Sequence, residues 1–426
     1  MHSGDRGCLA TRQVNKIRLK CMIKDIDREM KERRIEATIV LGDTTLANPD
    51  LIYVAGSNLS RGGMYIKRVD NDPILLTSTL DFHNALRIGR VRNIRTFTDY
   101  NFERLVIDHG RAEAYPRLII NVLRELGVTG KVAIAGRNDL AWGIHLSDRL
   151  RALGVNISGQ ESPTIIETAR ETKSSAEIDE IRTIGIKTAR VVEVILEKLR
   201  NAKRSRGHLW IDKQRAKVGV LKQIIALELA SSRLTAPEGT IFATGASSAD
   251  PHNSGDLTAD VREGKPIVLD IFPQSESGYW FDLTRSFTLG RATARARQLY
   301  EAVRSAQAAA LDLLKEGVPG EEAMSEACKV IERNGFRTVR DIYEGKTQEL
   351  HSGFNHSLGH GVGLTIGERP YLSFHSKDPL KVGHVVTVEP GVYLPRYGGV
   401  RLEDTVHITG RGYENLSAVR KEFELT

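Results

Sequence analysis

Residues 268–285, VLDIFPQSESGYWFDLTR, read as two apolar strands joined by a polar turn, and each strand carries an aspartate, Asp270 and Asp282. In the simplest hairpin, residues equally far from the turn face each other, and both aspartates lie six positions from Glu276. Opposed side chains have Cβ atoms ~5 Å apart, so like charges there repel. Burying two carboxylates costs more still unless something positive lies between them. The pattern recurs in VVTVEPGVYLPRYGGVRLEDTVHIT (385–409), where Glu389 and Glu403 are each seven positions from Arg396 and Pro395 to Gly399 supply the turn. A bulge in either hairpin would change the register.

A single acid in a strand is ordinarily an edge or solvent-facing residue. Two opposed pairs inside apolar strands need cations. Four oxygen ligands and a histidine suit a pair of divalent ions, which in two-metal sites stand ~3.5–4 Å apart. The histidine is His360 in HSLGHGVGL (356–364), where Gly359, Gly361 and Gly363 let the backbone come close to a crowded site.

Along the chain, residues 1 to about 22 are polar and basic and read as an extension or first helix, with fraying expected. From 23 to 167, short apolar runs (ATIVLG at 37–42, PILLT at 73–77, KVAIAG at 131–136) alternate with stretches of helical period such as RLIINVLREL (117–126). This predicts an α/β domain. A second start is written at Ser174, whose spacing from Glu177 spells a capping box before Ile178, Ile181, Ile184, Val191 and Ile195. The junction is therefore placed near 168, and 168–426, with long helices and hairpins, reads as α+β. One of those helices is expected in ARARQLYEAVRSAQAAALDLLKEG, ended by Gly317 and Pro319.

A chain of 426 residues with 40% hydrophobic and 27% charged residues fits a globular protein of two domains. The net charge of +7 is mild, and the basic clusters Lys31 to Arg34 and Lys203 to Arg206 read as solvated helix faces rather than as a nucleic-acid surface. Three distant cysteines, Cys8, Cys21 and Cys328, without metal-type spacing, point to a reducing compartment. With no signal-like or membrane-length apolar run, a cytoplasmic protein is expected, with neither a membrane nor a nucleic-acid partner.

The segments LDIFPQSESGYWFDLTR, HSLGHGVG, TVEPGVY and GGVRLEDTV, in this order, resemble the pita-bread metallopeptidases of the aminopeptidase P, prolidase and methionine aminopeptidase group. The resemblance spans about 172 to 426. The part before it looks like the creatinase-type domain of the aminopeptidase P and prolidase branch, with NPDLIYVAG (48–56) similar to its pattern. The resemblance implies an α/β amino-terminal domain plus an α+β pita-bread catalytic domain. It also implies metal ligands Asp270, Asp282, His360, Glu389 and Glu403, with Asp282 and Glu403 bridging two ions and Asp270 on one of them. His360 and Glu389 would bind the other. The implied nucleophile is a hydroxide held between the metals, with Glu389 shuttling its proton.

Further roles implied are substrate contacts and oxyanion stabilisation by His356 and His252, and support of the carboxylates by Arg401. Oxygen-rich sites with one imidazole suit Mn²⁺, placed first, or Co²⁺, Fe²⁺ or Zn²⁺. One position departs from the family pattern: Gly367, in GERP, stands where the family has a histidine in HExP, and His375 is the nearest replacement.

The implied activity is hydrolysis of the bond before proline in a short peptide with proline second, as a dipeptidase or an aminopeptidase, by a homodimer. The residues GYW (278–280) are candidates either for cleft lining or for core packing. A metal-dependent hydrolase or lyase of a small non-peptide substrate is the alternative, favoured by Gly367. A non-enzymatic binding module is a third reading, opposed by the intact ligand set.

Overall fold

The computed structural model describes residues 22–426, which form two compact units dividing between Arg170 and Glu171. The amino-terminal extension, with Cys8 and Cys21, lies outside the described residues. Among those described, no helix is long and apolar enough to cross a membrane, and Cys328 is buried with a free thiol.

The first unit is a six-stranded sheet in which β1 (Ala37–Gly42), β2 (Gly63–Arg68), β3 (Ile74–Thr77), β4 (Asn93–Thr96), β5 (Val132–Ala135) and β6 (Ile157–Ser158) take the order β4-β3-β2-β1-β5-β6. The apolar runs are its strands. Helix α1 (Arg111–Glu125) lays Leu118, Ile119, Val122 and Leu123 on a core with Ile39, Ile66 and Leu76, and α2 (Leu140–Ala152) adds Leu146 and Leu150. The NPDLIYVAG segment is a capped helix, Pro49–Ala55: the Asn48 side chain accepts from Leu51 N (3.1 Å), Pro49 opens the first turn, and Gly56 closes it at φ +66°.

The second unit opens with α3 (Ser175–Arg200), whose start is the capping box formed by Ser174 and Glu177. Two sheets follow. One joins β7 (Ile241–Thr244), β8 (Ile267–Ile271), β9 (Leu283–Leu289) and Glu424–Leu425; the other takes the order β11-β10-β12-β15-β16. Its strands are β10 (Gly359–Val362), β11 (Ile366–Leu372), β12 (Val385–Val388), β15 (Asp404–Thr409) and β16 (Gly412–Asn415), and the hairpin of β13 (Gly391–Leu394) and β14 (Gly398–Arg401) lies between β12 and β15 in the chain. Helices α4 (Ala294–Leu313) and α5 (Gly320–Arg333) press alanines, Leu299, Val303, Met324 and Ile331 against Val386, Val388, Val392, Val400 and Val406. Gln307 of α4, fully buried, donates Nε2 to Val388 O (2.8 Å) and Leu402 O (3.1 Å), the residues next to Glu389 and Glu403.

Two expectations are corrected. Lys203–Ser205 is a strand rather than a helix face, and Arg206 (φ +52°) and Gly207 (φ +74°) form its two-residue turn, the two positive φ values that tight hairpins require. In the first acidic hairpin, Asp270 pairs with Thr284, so Asp282 is displaced by two residues and stands just before β9. The loop between the strands makes pairings of its own, Gln274–Ser275 with Leu234–Thr235 and Gln274 with Trp280, and these set the offset. A slip of two keeps Asp282 on the side facing Asp270, whereas a slip of one would have turned it away. In the second, Val388↔Asp404 and Gly391↔Arg401 bracket Glu389 and Glu403 and place them opposite each other.

Arg285 ties the two sheets together. Its guanidinium donates to Glu403 O (2.6 Å), Thr284 O (3.0 Å), Val419 O (2.7 Å) and Asp404 Oδ1 (2.8 Å). Burial works against the charge of Asp404, but Arg285 and Lys421, at 2.6 Å, hold its carboxyl below the usual range. Removing one partner of a buried pair strands the other, so Arg285→Met is expected to lower stability by about 3–5 kcal/mol in urea unfolding. A loss under about 1 kcal/mol would show that this network does not hold the sheets together.

Candidate metal centre

The two hairpins and β10 deliver their acidic and imidazole groups to one buried place. One ligand atom each of Asp282, His360 and Glu403 lie within 4.8 Å of one another. His360 Nε2 is 3.6 Å from Asp282 Oδ2 and 3.3 Å from Glu389 Oε1. Asp270 is held by Arg401, whose Nη2 donates to Asp270 Oδ2 at 2.6 Å. The glycine before His360 is required sterically: a Cβ on Gly359 would overlap the carbonyl of Thr387.

Neighbouring hydroxyls orient the ligands. Thr284 Oγ1 donates to Glu403 Oε2 (2.7 Å) and accepts from Arg401 Nε (3.2 Å). Thr387 Oγ1 accepts from His360 N (3.0 Å) and donates to Glu389 Oε1 (3.2 Å). Sequence reasoning had not named either threonine. Each stands two residues from an acid on its strand face, which was the available signal.

The residues present fit divalent cations. Asp270 Oδ1, Asp282 Oδ1 and Glu403 Oε1 are buried and meet no donor, and each such orphan costs about 1–3 kcal/mol or more. Burial, then Glu403, Asp270 and Glu389, push the Asp282 carboxyl far above its ordinary value; burial and neighbouring acids do the same to Glu403. Burial pushes Glu389 up to about 7 despite Arg401. Hard oxygens with one imidazole are the donor set of first-row divalent ions. His360 Nδ1 lies 3.1 Å from Gly361 O, which can only accept, and 3.2 Å from Gly367 N, which can only donate. The tautomer with its proton on Nδ1 leaves the Nε2 lone pair facing two carboxylates, an arrangement that a cation makes favourable.

His356 sits in a different relation to the site from the one expected. Its Nδ1 is 2.8 Å from Ser357 O, so that nitrogen carries the proton, and Nε2 accepts from Tyr393 OH at 3.0 Å. Burial, then Arg401, lower its pKa to about 3, and the ring is neutral. A neutral ring in this tautomer has no N–H left for a substrate carbonyl, so the hydrogen bonds do not support the oxyanion role expected of His356. Burial pushes the Tyr393 hydroxyl up to about 12, and it accepts in turn from Arg401 Nη1 (3.0 Å). Tyr393 is the further residue missed in the sequence, although it shares the alternation of Glu389 on the hairpin. His252 is exposed. The carbonyl of Pro251 beside it accepts from Arg401 Nη1 (3.1 Å), and His252 bears electrostatically on His356, which places it at the rim.

Gly367 is a bulge residue of β11: the ladder shifts between Gly361↔Glu368 and Val362↔Ile366, and Gly367 takes φ +75° with open space on its Cβ side. A histidine there would be forced into the left-handed region, so substitution is strained rather than a simple restoration. His375 is exposed and packs edge-on against Tyr343 at 4.8 Å. Tyr279 and Trp280 are core residues: Tyr279 OH donates to Glu177 Oε1 (2.5 Å) and Trp280 N to Gly363 O (2.8 Å).

Asp282→Asn and Glu403→Gln are each expected to weaken metal binding more than about 100-fold, beyond the 10–100-fold typical of a partner that only orients a ligand; metal content after dialysis is the check, and stoichiometric metal in either variant contradicts the site. A pH dependence also follows. The metal-free folded protein keeps the Glu389 proton up to about 7, against an ordinary 4.5. The corresponding stability, on the order of 3 kcal/mol, is present below pH 4.5 and lost as pH rises through 7. The gap in melting temperature between metal-loaded and metal-free protein should therefore widen from pH 5 to pH 8. Calorimetry showing a constant gap would count against it.

The profile of metallopeptidase family M24 matches residues 179–410. A curated Xaa-Pro dipeptidase of Pyrococcus furiosus is 37% identical over 185 residues, 43% of this chain and 48% of that protein. The chain thus spans about half the length of the first curated relatives it matches. The solved Xaa-Pro dipeptidase from Bacillus anthracis has a TM-score of 0.75 at 21% identity, covering 95% of this chain and 99% of that one. X-Pro aminopeptidase from Thermotoga maritima MSB8 gives 0.71 at 22%, covering 92% and 99%. At these identities the likeness carries the fold alone, an α/β unit followed by a pita-bread unit. The family profile covers more than half of the chain, and the chain belongs to metallopeptidase family M24.

Proposed function

We propose that the chain is a metal-dependent peptidase that hydrolyses the bond before proline at the amino terminus of a short peptide. The observation that carries this reading is the set of three buried carboxylate oxygens without donors, on residues that lie within the span matched by the family profile. The names of the relatives, dipeptidases and an aminopeptidase specific for Xaa-Pro bonds, supply the substrate class. Asp270, Asp282, His360, Glu389 and Glu403 hold two divalent cations, Mn²⁺ as first choice, in a cytoplasmic homodimer.

Bound cations lower the pKa of water and polarise the scissile carbonyl. Glu389 is suited to the proton transfers. Its carboxyl would take a proton from the attacking water and give it to the departing proline nitrogen. That nitrogen has no hydrogen in the substrate and must gain one to leave as an amine. Arg401 fixes Asp270 and leaves its second oxygen for the metal. His356 acts as a positioning residue through Tyr393, and His252, with an exposed ring, is the donor available to the substrate at the rim.

The test is proline release from Xaa-Pro dipeptides and Xaa-Pro-Yaa tripeptides by metal-stripped protein with Mn²⁺, Co²⁺ or Zn²⁺ added. Cleavage confined to metal-loaded protein is expected, and the preferred length separates dipeptidase from aminopeptidase. Stoichiometric metal without cleavage of any Xaa-Pro peptide would overturn the substrate assignment.

A further inference from the structure

His360 stands on a strand that cannot fix its own course. Gly359 and Gly361 flank it and Gly363 follows, and glycine leaves the backbone freer than any other residue. The direction of the imidazole therefore depends on what lies against β10. A Cβ on Gly361 would overlap the carbonyls of Glu368 and Arg369, and one on Gly363 would overlap the Glu368 carboxylate and Lys173 Cε. Strand β11 and one ion pair thus fill the space that these two glycines leave.

In that pair Lys173 Nζ donates to Glu368 Oε1 (2.6 Å) and to Glu171 O (2.9 Å), and the two side chains are 2% and 7% exposed. A buried ion pair is weak evidence for stability, because apolar side chains of similar volume often serve as well or better. What apolar chains cannot supply is a directed contact. Lys173 is itself fixed: its backbone N–H donates to Gly383 O (2.8 Å), and the capping box of α3 begins at the next residue.

Glu368 carries that fixed point to the site. It lies across the ladder from Gly361 and directly follows Gly367, the bulge residue whose N–H lies 3.2 Å from His360 Nδ1. Anchoring Glu368 therefore anchors the bulge, while its carboxylate lies on Gly363. The carbonyl of Gly363 accepts from Trp280 N (2.8 Å), two residues before Asp282, and Asp282 Oδ2 stands 3.6 Å from His360 Nε2. One ion pair thus stands behind the backbone of two ligands that must meet.

We propose that Lys173 and Glu368 are positioning residues for His360, their ion pair holding the glycine strand and the bulge so that Nε2 faces Asp282 and Glu389. This role rests on the reading of His360 as a metal ligand. The test is the Co²⁺ affinity of the full chain by competition with a chelator, with the visible absorption of the bound Co²⁺ and the melting temperature of the metal-free protein. Lys173→Met/Glu368→Met, which replaces both charges by unbranched chains of similar length, is expected to melt no lower than the wild type when metal-free. It should nevertheless bind Co²⁺ at least 10-fold more weakly and with an altered spectrum, since partners that only orient a ligand are worth about 10–100-fold. Lys173→Arg, which keeps a donor for Glu368, should bind Co²⁺ more tightly than the double variant. Lys173→Met/Glu368→Gln, which keeps the shape of Glu368, makes the same comparison should the first pair fold poorly. Wild-type Co²⁺ affinity and spectrum in the double variants would overturn the proposal, as would a loss of affinity matched by a fall in the metal-free melting temperature. Because the readout is Co²⁺ rather than proline release, a wrong substrate assignment leaves it unchanged, whereas a wild type that takes up no Co²⁺ would overturn both.

Discussion

Four carboxylates share a buried end of the second unit with a single fixed guanidinium, and that shortage of positive charge is what the surrounding structure is arranged to contain. Unit charges a few ångströms apart interact by several kcal/mol even at an effective dielectric of about 20. Arg401 answers only one oxygen of Asp270. Without cations, protons must make up the difference, which is why burial and mutual repulsion push Asp282, Glu389 and Glu403 upward together. Metal and proton compete for the same oxygens, so loss of the metal favours proton uptake by the cluster.

Such a site persists because the backbone carrying it is fixed from outside the site. Gln307 reaches from α4 to the carbonyls beside Glu389 and Glu403, and Arg285 clamps the carbonyls of Thr284 and Glu403 while pairing with Asp404. The alanine-rich face of α4 lets that helix lie close enough for Gln307 to do so. Apolar packing thus sets the height of the helix over the sheet, and hydrogen bonds convert that height into the position of two ligands.

What was legible in the sequence follows from range. The strands of the first unit, the capping box at Ser174 and the start of α4 are local patterns, and they stand where the residues placed them, although α4 stops at Leu313, before the Gly317 expected to end it. The second acidic hairpin was read correctly because the turn centred on Arg396 leaves only one register compatible with the ladders on both sides. The first was displaced by two because its loop pairs with Leu234–Thr235, a partner about forty residues earlier that no local rule reveals. The hydrogen bond that occupies His356 was equally hidden, since it depends on Tyr393 arriving from another hairpin. Gly367 was visible as a departure, but its left-handed backbone was not, because a bulge is a property of two strands and not of one.

The chain Asp270–Arg401–Tyr393–His356 shows how these features combine. Each link is directional: Arg401 only donates, so Tyr393 must accept from it and can donate onward only to an acceptor. His356 is such an acceptor because its other nitrogen is committed to Ser357 O. Protonating His356 would remove the acceptor and set a cation facing the Tyr393 hydroxyl and Arg401, so burial and Arg401 together keep the ring neutral. The guanidinium is thereby held in one orientation, with Nη2 on Asp270 Oδ2, and the other oxygen of Asp270 is left without a donor. A neutral histidine, a protonated tyrosine and a permanent cation in series thus define which carboxylate oxygen remains for a metal, although neither His356 nor Tyr393 need touch the metal itself.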